Sequence, residues 1–250
     1  MPPRGESAMS LLLAEQAWPD LEGRRPLVIV PFGSCEQHGP HLPLDTDSSI
    51  ATAVAWKGVR ELADGTDVLL APTQHYTASG EHEGFPGTVS IGCDALHLLV
   101  VELGRSLSGW CGRVLIVNGH GGNNAVLAKA VAQLRDERRE VAWWPCAVQG
   151  GDAHAGRTET SMMMALRPLS VREDRARAGR TEPVRKLMGE LERNSVRAVS
   201  PNGVLGDPGG ASAAAGERLL NRMAAELCTA VHSWNVRAGR LLRTRTEVRS

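Results

Sequence analysis

The sequence predicts an α/β fold, a single-domain three-layer sandwich with a mainly parallel sheet between two layers of helices. Three observations predict it. Short apolar runs, bounded by Gly, Pro or polar residues, alternate with longer segments of helical spacing. Those runs are continuous rather than alternating, as strands buried on both faces require. Polar, histidine-bearing segments follow several of the runs, and α/β sheets collect ligands at the carboxyl ends of their strands.

The first run, 26–31 (PLVIVP), stops at the turn formed by Gly33 and Ser34. Residues 48–63 follow with helical spacing, and Asp47 or Ser48 is placed to cap them. A second buried strand is expected at 67–72 (DVLLAP), then a loop rich in Gly, Ser and His over 73–92. Asp94 stands near the start of a helix at 94–108. The third strand, 113–118 (RVLIVN), leads into Gly-His-Gly-Gly and a helix at 123–138. The fourth, 140–146 (EVAWWPC), carries Trp143 and Trp144, which must face opposite sides of the sheet. Residues 157–166 have helical character that ends at Pro168, and 170–212 are charged and irregular. A long helix near 213–240 closes the chain. The single domain spans 1–250, with ~10 residues frayed at the start and ~8 at the end.

Composition excludes several classes. Lys+Arg and Asp+Glu both total 28, so the net charge is zero, which argues against nucleic acid or an anionic membrane as a partner. No apolar run approaches a membrane span, and Glu15 interrupts the only signal-like segment. The five cysteines are odd in number and scattered, without a CxxC pair. They predict reduced thiols in a cytoplasmic protein.

The chemistry concentrates in residues 31–47, PFGSCEQHGPHLPLDTD, directly after the first strand. Glu36 and His38 are two apart and point to one side of an extended chain. Asp47 lies where the next helix turns back, and either Asp45 or Asp47 ligates while the other stiffens the turn. His120, flanked by glycines, follows strand three; His154 and Glu159 follow strand four. These three loops are expected to converge on one rim. Glu, Asp and His suit zinc, iron(II) or manganese. The set is rich enough for two ions sharing a carboxylate, an arrangement that hydrolyses amide-type bonds. Cys35, between Ser34 and Glu36, is either a small buried residue or part of the site. His41 between two prolines positions the loop, Met162–Met164 belong to the core, and Glu81 and His82 are ordinary loop residues on this reading.

The opening motif resembles that of the creatininase family. The resemblance continues through SGEHEGFPGTVSI (79–91), NGHGGN (118–123), HAGRTETS (154–161) and GVLGDP (203–208), in the family's order. It implies a formiminoglutamase-like sandwich, a homo-oligomer and metal-dependent amide hydrolysis. It also implies Glu36, His38, Asp47 and His120 as ligands, with Asp47 bridging, and His154 in proton transfer. The sequence departs from creatininase itself at Gly122, where that enzyme has a glutamate, and this argues against creatinine as substrate. Glu159 is the candidate to complete the second ion's ligands, with Thr158 and Thr160 orienting it and Gly122 leaving it room. The Gly-His-Gly-Gly form is similar to family branches that hydrolyse formamides or trim precursor peptides. The closer resemblance implies removal of a modified C-terminal dipeptide, derived from Val-Tyr, from a ribosomal precursor peptide. The rival readings are a small-molecule amidohydrolase of the same family and a non-catalytic precursor-binding scaffold.

Overall fold

The computed structural model describes residues 10–191 and 194–242. The fraying expected at the two chain ends lies outside the described residues. Among the described residues, eight α-helices and six strands follow one another: α1 (Trp18–Leu21), β1 (Leu27–Phe32), α2 (Thr46–Leu62), β2 (Val68–Leu70), α3 (Cys93–Leu107), β3 (Arg113–Asn118), α4 (Asn124–Asp136), β4 (Val141–Pro145), α5 (Arg157–Leu166), α6 (Val184–Leu191), α7 (Val196–Val199), α8 (Ala213–Ser233), β5 (Val236–Arg237) and β6 (Arg240–Leu241). No helix among the described residues is long and apolar enough to cross a membrane.

The strand order is β2-β1-β3-β4-β6-β5. Every pairing is parallel except β5 with β6. Alternate residues of each central strand feed different cores. Leu27, Ile29, Leu115, Val117, Ala142 and Trp144 pack with α2, α5 and α8. Val28, Val30, Phe32, Val114, Ile116, Val141 and Trp143 pack with α3 and α4. This two-sided burial explains why the strands read as unbroken apolar runs, and it sends the two adjacent indoles to opposite faces as expected. Each large side chain removed from water here contributes about 1.5–3 kcal/mol. Met162 and Met163 lie in the first core.

Three local expectations are corrected. The second strand shrinks to three residues, and neither Asp47 nor Ser48 caps α2, which begins at Thr46 with no side-chain cap. The last helix ends at Ser233, not near 240. Trp234 takes the left-handed conformation there (φ 40°). Ala238 and Gly239, with φ of 47° and 76°, then turn the chain into a hairpin that extends the sheet beyond β4. Two successive positive φ values match the strand twist of a tight hairpin, which helical spacing cannot reveal. Residues 170–212 are not featureless either: α6 and α7 bury Leu187, Val196 and Val199 against Leu205 and Phe85.

Candidate metal centre

The carboxyl ends of β1 and β3 set up the site. The chain leaves β1 through Gly33, where a Cβ would lie 2.3 Å from Ser48 Cα. It leaves β3 through Gly119, where a Cβ would lie 2.5 Å from the Asp47 carbonyl oxygen. Two residues without side chains therefore let the first turn of α2 settle between the strand ends, and that turn carries Asp47. Ser34 Oγ donates to Asp47 Oδ2 at 2.8 Å. Asp45 points elsewhere, to Arg167 Nη1 at 2.6 Å, so Asp47 is the one that enters the site.

Glu36, His38, Asp47, His120 and His154 are all buried. Glu159, in the first turn of α5, is partly buried and accepts from the Ala155 amide at 2.6 Å. Asp47 Oδ1 lies 3.1 Å from His38 Nε2, and Oδ2 lies 3.2 Å from His120 Nδ1. Glu159 Oε2 is 3.9 Å from His38 Nε2. Glu36 Oε1 is ringed by His120 Nδ1 at 3.2 Å, His82 Nε2 at 3.3 Å and His154 Nδ1 at 3.8 Å.

Hydrogen bonds outside this ring orient the imidazoles. His38 Nδ1 donates to the Glu36 carbonyl at 3.2 Å, and His120 Nε2 to the Ala78 carbonyl at 3.0 Å. The other nitrogen of each ring then presents a lone pair to a carboxylate. Two acceptors face each other only across a proton or a cation. Burial lowers the His38 pKa, but Asp47, Glu159 and Glu36 outweigh it and carry it up to about 10. His120 is raised in the same way, by Glu36 and Asp47 against the cost of burial. Burial raises Asp47, yet His38 and His120 hold it well below the usual carboxylate range.

These residues fit divalent metal. Both oxygens of buried Glu36 lack a hydrogen-bond partner, an expense that a bound cation removes. Glu36, Asp47 and His120 can each aim one ligand atom at a common point, and so can His38, Asp47 and Glu159. Within each group the atoms lie within 4.8 Å of one another, and Asp47 belongs to both. A third grouping joins Glu36, His38 and His154.

Other expectations are changed by the structure. Neither threonine touches the Glu159 carboxylate: Thr158 Oγ1 pairs with Asp152, and Thr160 Oγ1 with His41 Nε2 at 2.9 Å. The carboxylate beside Gly122 is Glu81, not Glu159. Cys35 carries a thiol whose pKa burial and the Asp45 and Glu36 charges push up, and its Sγ lies 3.7 Å from the Gly87 carbonyl. Glu81 and His82 are not ordinary loop residues. They form a 3₁₀ turn, Gly80–His82, against the centre, with Glu81 Oε1 3.3 Å from His120 Nε2. Gln37 Nε2 ties His82 Nδ1 (2.9 Å) to the Gly203 carbonyl (3.0 Å). The sequence held a signal for this turn, since the loop 73–92 follows a strand and so belongs to the same rim.

The family profile described as "Creatininase: Creatinine amidohydrolase" matches residues 14–231. The chain belongs to the creatininase family. Its relatives within that family include a mycofactocin precursor peptide peptidase of Mycolicibacterium smegmatis, 52% identical over 84% of this chain and 85% of that protein. A protein of the same description from Mycobacterium tuberculosis is 48% identical over 86% and 88%. Among solved structures, a mutant creatininase aligns with a TM-score of 0.76 at 25% identity, covering 90% of this chain and 99% of that chain. The mainly parallel sheet with helices on both faces is thus the creatininase fold, as expected. The creatininase family is one of metal-dependent amidohydrolases, which accords with the donor set around Glu36 and Asp47.

Proposed function

We propose that this chain is a metallopeptidase that removes the modified, Val-Tyr-derived C-terminal dipeptide from a ribosomal precursor peptide of the mycofactocin type. The observation that carries the chemistry is Asp47, whose two oxygens face two histidines and which belongs to two ligand groups at once. The substrate rests on the identity to the mycofactocin precursor peptide peptidases. Glu36, Asp47 and His120 would hold one divalent ion; His38, Asp47 and Glu159 would hold a second, with zinc, iron(II) or manganese suited to the donors. Bound there, such ions supply Lewis acidity, polarising an amide carbonyl and making water a stronger acid.

The chain's own residues manage the proton. His154 Nε2 donates to the Gln37 carbonyl at 2.8 Å, which leaves Nδ1 turned towards Glu36 Oε1. Burial and the neighbouring His38 and His82 push the His154 pKa below its ordinary value, which favours the neutral ring. It accepts the proton of the attacking water at Nδ1 and returns it to the leaving nitrogen, since an amide anion is a very poor leaving group. Free thiols at Cys35, Cys93, Cys111 and Cys228 accord with action in the cytoplasm, and the family resemblance implies a homo-oligomer.

The test is to incubate the purified, metal-loaded chain with the modified precursor peptide and follow the products by mass spectrometry. Release of the dipeptide is expected. An intact peptide alongside hydrolysis of a formamide or lactam would make it a small-molecule amidohydrolase. Failure to bind divalent metal at all would make it a precursor-binding scaffold.

A further inference from the structure

Gly122 sits where a side chain has no room. A Cβ there would stand 2.1 Å from Glu81 Oε1 and 2.4 Å from His120 Nε2. Glu81 reaches this spot from another loop, the 3₁₀ turn Gly80–His82, whose next residue puts His82 Nε2 3.3 Å from Glu36 Oε1. The turn is therefore anchored to the centre on one side and lays a carboxylate against His120 on the other. Glu81 Oε1 lies 3.3 Å from His120 Nε2, which also faces the Ala78 carbonyl at 3.0 Å. The opposite nitrogen, Nδ1, faces Glu36 and Asp47, at 3.2 Å from each.

We propose that Glu81 is a positioning residue for His120, and that position 122 is glycine because the Glu81 carboxylate and the His120 ring meet there. The inference rests on the reading of His120 as a metal ligand. A carboxylate on the outer N–H of a ligating imidazole fixes the tautomer, holds the ring plane and makes the inner nitrogen a better donor. The Ala78 carbonyl accepts the Nε2 proton at 3.0 Å, and the Glu81 carboxylate at 3.3 Å places a negative charge beside the same N–H. Neither residue touches the reacting atoms on this account. They act through the orientation of one ring, and they act as a pair: a side chain at 122 would strike both the carboxylate that Glu81 delivers and the ring it orients.

The pair is tested by zinc(II) affinity of the full-length protein, measured by competition with a chromophoric chelator. Glu81→Ala is expected to weaken zinc binding by about 10–100-fold. Glu81→Gln, which keeps an acceptor oxygen, should lose less. Gly122→Ala should also weaken binding, through both the ring and the carboxylate, and adding Glu81→Ala to that variant should cost less than it does in the parent, because the carboxylate is already displaced. Nitrogen NMR of the zinc-loaded protein should show His120 protonated at Nε2 in the parent and a shifted, broadened signal in Glu81→Ala. Unchanged affinity in Glu81→Ala, or losses that simply multiply in the double variant, would overturn the inference. His120→Ala separates the two levels. Unaltered zinc binding there would remove the ligand reading itself, whereas loss of zinc there but not in Glu81→Ala would remove only the positioning role.

Discussion

The buried carboxylate of Glu36 faces His120 across 3.2 Å, Oε1 to Nδ1, yet neither Glu36 oxygen receives a hydrogen bond. A proton on His120 and a metal ion compete for that gap. The surrounding carboxylates raise the pKa of both His38 and His120, which favours a proton on each ring while no metal is bound. Adding zinc(II) to metal-free protein in weak buffer near pH 7.5 should therefore release protons. Release of none, followed with a pH indicator, would place the metal elsewhere.

The same linkage gives a pH dependence. His38 has its folded pKa raised from 6.5 to about 10. Its contribution to the metal-free protein is complete below 6.5 and fades as pH rises through about 10. Metal binding improves over that range as protons stop competing. The gap in melting temperature between metal-loaded and chelator-treated protein should widen steadily from pH 6.5 to 9. Calorimetry in both states measures it, and a constant gap would contradict the arrangement.

Glu159 is the outlying member of its group, 3.9 Å from His38 Nε2 and tied to the Ala155 amide. Glu159→Gln keeps the shape and removes the charge, leaving His38 and Asp47 as two protein ligands where catalytic ions usually have three. Elemental analysis should show about one ion lost per chain, with severe loss of activity. Asp47→Asn should lose both. Two retained ions in Glu159→Gln would make that carboxylate structural.

His154 should separate chemistry from binding. His154→Ala is expected to keep its metal content and lose about 10²–10⁴-fold in turnover, the usual effect of one general acid–base group. Loss of metal together with activity would instead assign it as a ligand, in keeping with the grouping of Glu36, His38 and His154.

Gly216 of α8 has no space for a methyl group: a Cβ would lie 1.9 Å from the Ser161 carbonyl oxygen of α5. Backbone cannot yield as a side-chain tip can. Gly216→Ala should destabilise the fold by about 1–3 kcal/mol in urea titration. Because α5 also carries Glu159, the same substitution should weaken metal binding. Destabilisation without any change in metal binding would show that α5 moves without displacing Glu159.

His41 makes the acid limb testable. Burial lowers its pKa from 6.5 to about 4, with a smaller push from His38. Between those values the unfolded chain takes up a proton that the folded chain refuses, so stability falls as pH drops from 6.5 towards 4. His41→Gln should make that decline shallower, as read from urea midpoints of chelator-treated protein across the window. An unchanged slope would exclude His41 as its source.

Sequence alone determined the layers. Unbroken apolar runs such as 113–118 arise only where both faces of a strand meet a core, and the adjacent Trp143 and Trp144 are shared between two cores because side chains alternate along a strand. The loops after strands one, three and four were legible as one polar rim for the same reason, since parallel strands deliver their carboxyl ends to the same edge. Which carboxylate stands where was decided by the tertiary structure. Asp45 and Asp47 are equivalent in composition and spacing, and only the descent of α2 between Gly33 and Gly119 turns Asp47 inward and leaves Asp45 to Arg167. The partner of Gly122 was likewise hidden, because Glu81 arrives from the loop after β2, on the far side of β1 from β3. The closing hairpin depended on positive φ at Ala238 and Gly239, a backbone choice that pairing with β4 stabilises and that the spacing of apolar residues does not encode. Periodicity records what each residue must bury; contacts between distant loops depend on strand order and on where backbones can approach, and those exist only once the sheet is assembled.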